Sequence, residues 1–317
     1  MISALAITGP TASGKTRLSL DVARSFGCEI ISCDSMQIYR GMDIGTAKAT
    51  ASERALVPHH LIDIVDPNEA YSAENYREDA LRAARDITSR GRIPLFVGGT
   101  GLYLDTVARG TSPLSPPSDP ELSARLLREA SDSAGRQELY RRLAAVDPQS
   151  ASKTHPNNVR RVIRALEIYE LTGRTKTYFD ELSREGEPDI DVTTVCLDFH
   201  NRETLYKRID ARVDMMIEDG LVAEVSRLSE CGLLTEDSTA GGAIGYKELF
   251  GYLRGECTLE SARESIKLAS RRYAKRQLTW FRNKTGAATL FLDREDGAMR
   301  DYFDILAEAR EMLGCKT

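Results

Sequence analysis

Apolar and polar positions along the chain repeat with two different periods, and the points where the period changes mark its elements. Ile2-Ser3-Ala4-Leu5-Ala6-Ile7 is short, apolar and partly β-branched, which predicts a buried strand. Residues 17–25 then turn Leu18, Val22 and Ala23 to one side at helical spacing. Residues 28–33 predict a second strand, 60–65 a third and 94–97 a fourth. Between the last two, a helix over 72–89 faces Tyr76, Ala80, Leu81, Ala84 and Ile87 inward, while the Gly-rich residues 40–50 predict irregular backbone. Strands alternating with helices imply an α/β protein with a parallel sheet.

The alternation stops at Ser112-Pro113-Leu114-Ser115-Pro116-Pro117-Ser118-Asp119-Pro120. From residue 121 to about Gly186 every periodic segment is helical. Segments 121–130 and 137–145 are amphipathic, and Pro156-Asn157-Asn158 opens a longer helix that Gly173 closes. Val162, Ile163, Leu166, Ile168 and Tyr169 form its apolar side. The sheet resumes at 193–197, and a helix from Arg202 to about Gly220 buries Ile209, Val213, Met216 and Ile217. A short helix opens near Ala243, a long basic one spans 259–284, and a strand at 288–292 precedes a helix ending at Leu313. The expected organisation is a sheet core in two parts, 1–111 and 191–317, interrupted by an all-helical insertion at 112–190.

Composition adds little: 317 residues with 41% hydrophobic and 29% charged suit an ordinary water-soluble protein. No apolar run approaches the ~20 residues of a membrane span, and the N-terminal run lacks the basic flank of a signal peptide, so a cytoplasmic protein without a membrane partner is expected. Six cysteines (Cys28, Cys33, Cys196, Cys231, Cys257 and Cys315) show no C-x-x-C pair and read as reduced thiols without zinc.

Charge changes the picture more. The net charge of −5 argues mildly against nucleic acid, but it hides two basic stretches. Residues 153–176 carry six basic residues against two glutamates, and 263–284 carry eight against one. In the second, Arg263, Lys267, Arg271 and Lys275 recur every fourth residue, with Arg272 and Arg276 beside them. Repulsion along such a ridge costs a few tenths of a kcal/mol per pair. A phosphate-rich partner would relieve it.

The sharpest chemical signal is Gly9-Pro10-Thr11-Ala12-Ser13-Gly14-Lys15-Thr16, of the form G-x-x-x-x-G-K-[ST], set between a predicted strand and a predicted helix. Backbone N–H groups, the helix N-terminus and the Lys15 ammonium converge there on a polyphosphate, and the Thr16 hydroxyl faces Mg²⁺. Asp34, in Asp34-Ser35-Met36-Gln37, follows the second strand and would face that loop at the carboxyl edge of a parallel sheet. It is suited to holding a metal, to taking a proton, or only to capping a turn. Asp66 is a weaker metal candidate, since Asp-Pro is also a common turn opener. Gly98-Gly99-Thr100-Gly101 lets backbone approach a ligand closely and nominates Thr100.

Together these segments resemble the tRNA dimethylallyltransferase family, bacterial type. The resemblance covers nearly the whole chain. It rests on the phosphate loop, on Asp34-Ser35-Met36-Gln37-Ile38-Tyr39, on Asp43-Ile44-Gly45-Thr46-Ala47-Lys48 and on His59-His60-Leu61-Ile62-Asp63. It extends through Gly98-Gly99-Thr100-Gly101-Leu102-Tyr103, His155-Pro156-Asn157-Asn158, Arg164-Ala165-Leu166-Glu167, Ile244-Gly245-Tyr246-Lys247-Glu248 and Ala274-Lys275-Arg276-Gln277-Leu278-Thr279-Trp280-Phe281. Ser270 and Ala49 stand where the family usually has Thr and Pro.

The resemblance implies a P-loop NTPase-like parallel sheet with a helical insertion domain. It implies transfer of a dimethylallyl group from dimethylallyl diphosphate to N6 of the adenine 3′ to the anticodon, with Mg²⁺, by a monomer. Gly9 to Thr16 then hold the diphosphate, Lys15 and Thr16 take part in catalysis, and Asp34 is the general base. Asp34, Ser35, Met36, Gln37 and Thr100 contact the RNA, as do Arg125, Asn158, Val159, Arg160, Arg161 and Val162 of the insertion, and Arg271, Arg272, Lys275 and Arg276. The main rival is a P-loop kinase of a nucleoside or small metabolite; Lys247 fits either phosphate or tRNA.

Overall fold

Ile2–Thr8 forms the strand β1, and its side chains alternate between two cores. Leu5 and Ile7 pack on one face of the sheet, Ala4 and Ala6 on the other. Coverage on both faces is why the run reads as continuously apolar. The structure, a computed structural model, describes residues 1–108, 116–183, 188–284 and 286–314, without the side chain of Lys284. Cys315, the Ser112 to Ser115 portion of the proline-rich boundary, and Gly186 lie outside the described residues.

After β1 come Lys15–Phe26 (α1), Cys28–Ser32 (β2), Ala51–Leu56 (α2), His59–His60 (β3), Ala73–Ser89 (α3), Ile93–Gly98 (β4) and Gly101–Ala108 (α4). Five helices follow: Pro120–Glu129 (α5), Ser133–Val146 (α6), Pro148–Ser152 (α7), Val159–Thr172 (α8) and Lys176–Leu182 (α9). The sheet then resumes with Ile190–Asp198 (β5), Arg202–Glu218 (α10), Leu221–Glu230 (α11), Lys247–Leu253 (α12), Leu259–Lys284 (α13), Ala288–Phe291 (β6) and Tyr302–Met312 (α14).

All six strands are parallel, in the order β3-β2-β4-β1-β5-β6. Leu5 of β1 sits level with Leu95 of β4 on one side and Thr193 of β5 on the other. The chain leaves β1 across β4 to reach β2, and later returns to β1's opposite side as β5. That reversal opens a crevice beyond the carboxyl ends of β1 and β4, where parallel sheets bind ligands. Helices α1, α10, α13 and α14 contribute to the core on the Leu5 face, and α3 and α4 to the core on the Ala4 face. Within the second, Tyr76 and Tyr103 stack at 3.9 Å between ring centroids. A third cluster gathers Ile38, Tyr39 and Met42 with Tyr246, Leu249 and Ile266.

Chain contacts divide the molecule into two compact units, Met1–Ala108 with Asp189–Thr317, and Arg109–Pro188. The helical unit has its own core, around Leu126, Leu139, Leu143, Val162 and Leu166. The buried carboxylate of Glu167 accepts from the Asp119 amide and the Ser123 hydroxyl, both at 2.8 Å, and pairs with Arg164. No helix among the described residues is long and apolar enough to cross a membrane.

Two expectations are corrected. The third strand is only two residues long, because Leu61 and Asp63 adopt left-handed backbone (φ 59° and 58°) incompatible with a strand. Asp63 is held there by Lys48 at 2.6 Å and Arg54 at 2.7 Å. Tyr169 does not join the apolar side of α8: it is exposed, in a turn beyond Leu166, where that core ends.

Candidate active site

The loop between β1 and α1 has the predicted form. Gly9 has φ 141°, and a Cβ added there would lie 2.8 Å from the Leu197 carbonyl oxygen, so no larger residue fits. Helix α1 starts at Lys15 with no side-chain cap, which leaves its first-turn amides aimed at the crevice. The Lys15 ammonium folds back over the loop, donating to the carbonyls of Gly9 at 2.9 Å and Pro10 at 2.6 Å.

Asp34 follows β2 and does two things at once. Its Oδ1 accepts from the Met36 amide at 2.9 Å, the turn-capping bond that the sequence allowed. Its other oxygen has no hydrogen-bond partner among the described residues. The Thr100 hydroxyl accepts from the Ser35 amide at 3.1 Å, and the Thr100 amide donates to the Cys33 carbonyl at 3.1 Å. The Gly98–Thr100 turn therefore props up the segment that carries Asp34. Gln37 donates to the carbonyls of Thr46 at 3.2 Å and Ala47 at 3.4 Å, fixing the opposite wall.

Lys15, Thr16, Asp34, Arg212, Tyr273 and Arg276 line one cavity of roughly 390 Å³, whose apolar side is built from Ile209, Val213, Met216 and Ile244. Burial lowers the Lys15 pKa to about 8; the positive charge of Arg212 adds to the shift, and the Asp34 carboxylate opposes it. Arg212 is itself lowered by burial and raised by Asp34. These three charges thus share one low-dielectric space, with two cations against one carboxylate.

Arg212 escaped the sequence reading. The signal available was a cation in the inward stripe Ile209, Val213, Met216 of α10, where an arginine needs an anionic partner.

Thr16, Asp34 and Ser13 offer a metal only hard oxygen atoms. The Ser13 hydroxyl is buried and has no hydrogen-bond partner among the described residues. No group of three or more metal-ligating side chains gathers among the described residues. One carboxylate with hydroxyls suits Mg²⁺, which draws most of its ligands from substrate phosphate and water. Asp66 is the wrong carboxylate: it is half-exposed and held by Arg40 at 3.0 Å on the surface.

The basic positions separate into two kinds. Arg271 is paired with Asp210, and Arg263 and Lys267 lie 3.9 and 2.8 Å from Asp214, so α10 supplies the acids that neutralise most of the first ridge. The expectation that this ridge awaits an anionic partner is corrected for those three residues. Arg272 and Lys275 are exposed and make no ion pair among the described residues, while Arg276 lies over the Tyr273 ring at 5.6 Å.

In the helical unit, Arg125 is engaged by Glu170 at 2.6 Å and Glu129 at 3.7 Å. Arg160 and Arg161 are exposed without such partners among the described residues, and Asn158 makes no side-chain cap on α8. Val159 is half-buried, and Val162 is wholly in the core, so its side chain is closed to any ligand. Lys247 lines the cavity, 3.5 Å from Glu248.

With this geometry in view, the likeness to known proteins is informative. Residues 37–284 match the family described as IPP transferase, and residues 2–59 match that described as isopentenyl transferase. A tRNA dimethylallyltransferase of Thermoanaerobacter sp. (strain X514) is 46% identical over 296 residues, 92% of each chain. That of Shouchella clausii is 47% identical over 300 residues, 95% of this chain and 94% of its own. Among solved structures, the tRNA isopentenylpyrophosphate transferase of Bacillus halodurans superposes with a TM-score of 0.71 at 41% identity, covering 99% of this chain and 96% of its own. A eukaryotic dimethylallyltransferase solved acting on tRNA gives 0.76 at 31% identity, over 98% and 78%. The likeness to these proteins runs along almost the full length of the chain that carries the phosphate loop and Asp34, and the chain belongs to the IPP transferase family.

Proposed function

We propose that this protein transfers the dimethylallyl group of dimethylallyl diphosphate to N6 of the adenine 3′ to the anticodon in tRNA, releasing diphosphate, in the cytoplasm. The observation that carries the reading is that Lys15 and Asp34 line one cavity with an apolar wall beside them. Amides of the loop, Lys15 and Arg212 hold the diphosphate. Ile209, Val213 and Met216 cover the five-carbon chain and exclude water from its reactive carbon. As the C1–O bond breaks, the electron pair leaves with the diphosphate, whose growing charge Lys15 and Arg212 stabilise. The N6–C1 bond forms, and the N6 proton passes to the free oxygen of Asp34. Thr16 is the residue that would hold Mg²⁺, and the ion when bound would neutralise diphosphate charge.

Arg272, Lys275 and Arg276 bind RNA phosphates, with Ser35, Met36, Gln37 and Thr100 around the target base. Asn158, Arg160, Arg161 and the backbone at Val159 and Val162 form the helical unit's own RNA surface; Arg125 in that unit and Arg271 on α13 contribute only by releasing their carboxylates. The adenine must leave its stack, at a cost of a few kcal/mol that these contacts offset.

One incubation tests this: the protein with dimethylallyl diphosphate, Mg²⁺ and unmodified tRNA, alongside AMP and ATP. Prenylated tRNA, with none formed on AMP or ATP, is the expected result. Prenylation of free nucleotide alone, or ATP-dependent phosphorylation, overturns it. The kinase reading is not favoured, since the likeness to IPP transferases extends through the helical insertion.

A further inference from the structure

One face of α13 takes hold of three consecutive residues at the end of β4. Tyr273 lies beside the side chain of Thr100. Gln277, one turn on, donates from Nε2 to the Gly99 carbonyl at 3.0 Å. The Trp280 indole packs so closely on Gly101 that a Cβ there would lie 2.2 Å from the ring. Gln277 also reaches the other side of the crevice. Its Oε1 accepts from the Thr11 amide in the phosphate loop at 3.0 Å, and the side chain is buried, 5% exposed. A single amide group thus spans the two loops that carry the two halves of the proposed reaction. From Thr11 the path runs through Gln277 to Gly99, and from the adjacent Thr100 through its hydroxyl to the Ser35 amide beside Asp34.

We infer that Gln277, which itself lines the cavity, is a positioning residue for prenyl transfer, fixing the distance between the diphosphate cradle and the Asp34 carboxylate. The inference rests on the function proposed above. A carboxamide is the group for this place: one end must accept from an N–H and the other donate to a carbonyl, both inside the protein, and no other side chain of this length offers both ends in neutral form. Because the cavity's two working groups sit on separate loops, a slip of about 1 Å between them costs about 100-fold in turnover while each loop still binds its own substrate.

The test is a double-mutant cycle on the full chain, with dimethylallyl diphosphate, Mg²⁺ and unmodified tRNA, between Gln277→Met and Asp34→Asn. Q277M keeps the volume and removes both hydrogen bonds. It is expected to lower kcat about 10- to 100-fold, with KM for each substrate within about threefold of wild type. In the D34N background, where there is no base left to position, adding Q277M is expected to lower kcat by less than about threefold. Wild-type kcat in Q277M, equal losses in both backgrounds, or losses that merely follow the folded fraction measured by circular dichroism would each overturn the role. If Q277M does not fold, Gln277→Glu, which keeps the acceptor for Thr11 and loses the donor to Gly99, enters the same cycle with the same criteria. Absence of prenyl transfer by the wild-type chain would sink the parent reading, an outcome distinct from all of these.

Discussion

Arg271 sets one guanidinium nitrogen 2.6 and 2.7 Å from the two carboxylate oxygens of Asp210, so a cation that looked available for RNA is already answered within the protein. Lys275, one turn further along α13, has no such partner among the described residues. The two substitutions should therefore differ in kind. Arg271→Ala leaves Asp210 unpaired in a half-buried place and is expected to cost about 1 kcal/mol of stability, with little effect on the salt dependence of tRNA binding. Lys275→Ala should leave thermal stability unchanged and weaken tRNA binding, reducing the slope of log K against log salt by about 1. Filter binding across a salt series, with melting curves of both variants, makes the comparison.

Asp34→Asn retains the turn-capping oxygen that accepts from Met36, so the local fold should survive. Without the proton acceptor, kcat should fall by about 10²- to 10⁴-fold, while tRNA affinity stays within a few-fold. Turnover at the wild-type level would remove Asp34 from the role of base.

The Lys15 amine titrates near 8 in the folded protein, against 10.5 for an ordinary lysine. Between these values the folded state binds fewer protons than the unfolded chain. From this group alone, stability of the ligand-free protein therefore rises with pH across about 8 to 10.5, its penalty being fully present below 8. Diphosphate binding runs the other way, because the anion recharges the amine. Inorganic diphosphate should bind more weakly as pH rises above about 8, with proton uptake on binding in that window. Calorimetry in two buffers of different ionisation enthalpy reads the proton count, and Lys15→Arg should remove the lysine's share of it, leaving only the titration of diphosphate itself.

Glu224 holds the segment Asp43 to Gly45 by accepting from three successive amides at 2.9, 2.9 and 3.1 Å and from the Tyr246 hydroxyl at 2.5 Å. Gly45, Thr46 and Ala47 lie along the cavity wall. Tyr246→Phe removes one charge-assisted bond and should cost about 1.5–3 kcal/mol of stability, read by urea denaturation. Since the three amides remain to hold the wall, KM for dimethylallyl diphosphate should shift by no more than a few-fold.

Much of this molecule was legible because the signals are local. The Ser72 cap of α3, closed by Asn75, the left-handed Gly173 that ends α8, and the full span of α13 all follow from neighbours in the chain. So does the phosphate loop, whose chemistry lies in eight consecutive residues. What escaped depends on partners beyond the immediate neighbours in the chain. The third strand shrank because Lys48 and Arg54 hold Asp63 in a conformation no strand permits.

By itself, the sequence determined which groups could do chemistry: a lysine and a threonine on a glycine loop, a carboxylate after the next strand, and arginines at helical spacing. Only the tertiary structure decided which of them are left to do it. It buried Arg212 beside Lys15 and Asp34, spent Arg271 on Asp210 and Asp66 on Arg40, and ran Gln277 across from α13 to join two loops. The reason is physical: a side chain's type and spacing are written locally, but its charge and its hydrogen bonds are settled by whatever the fold brings within about 3 Å.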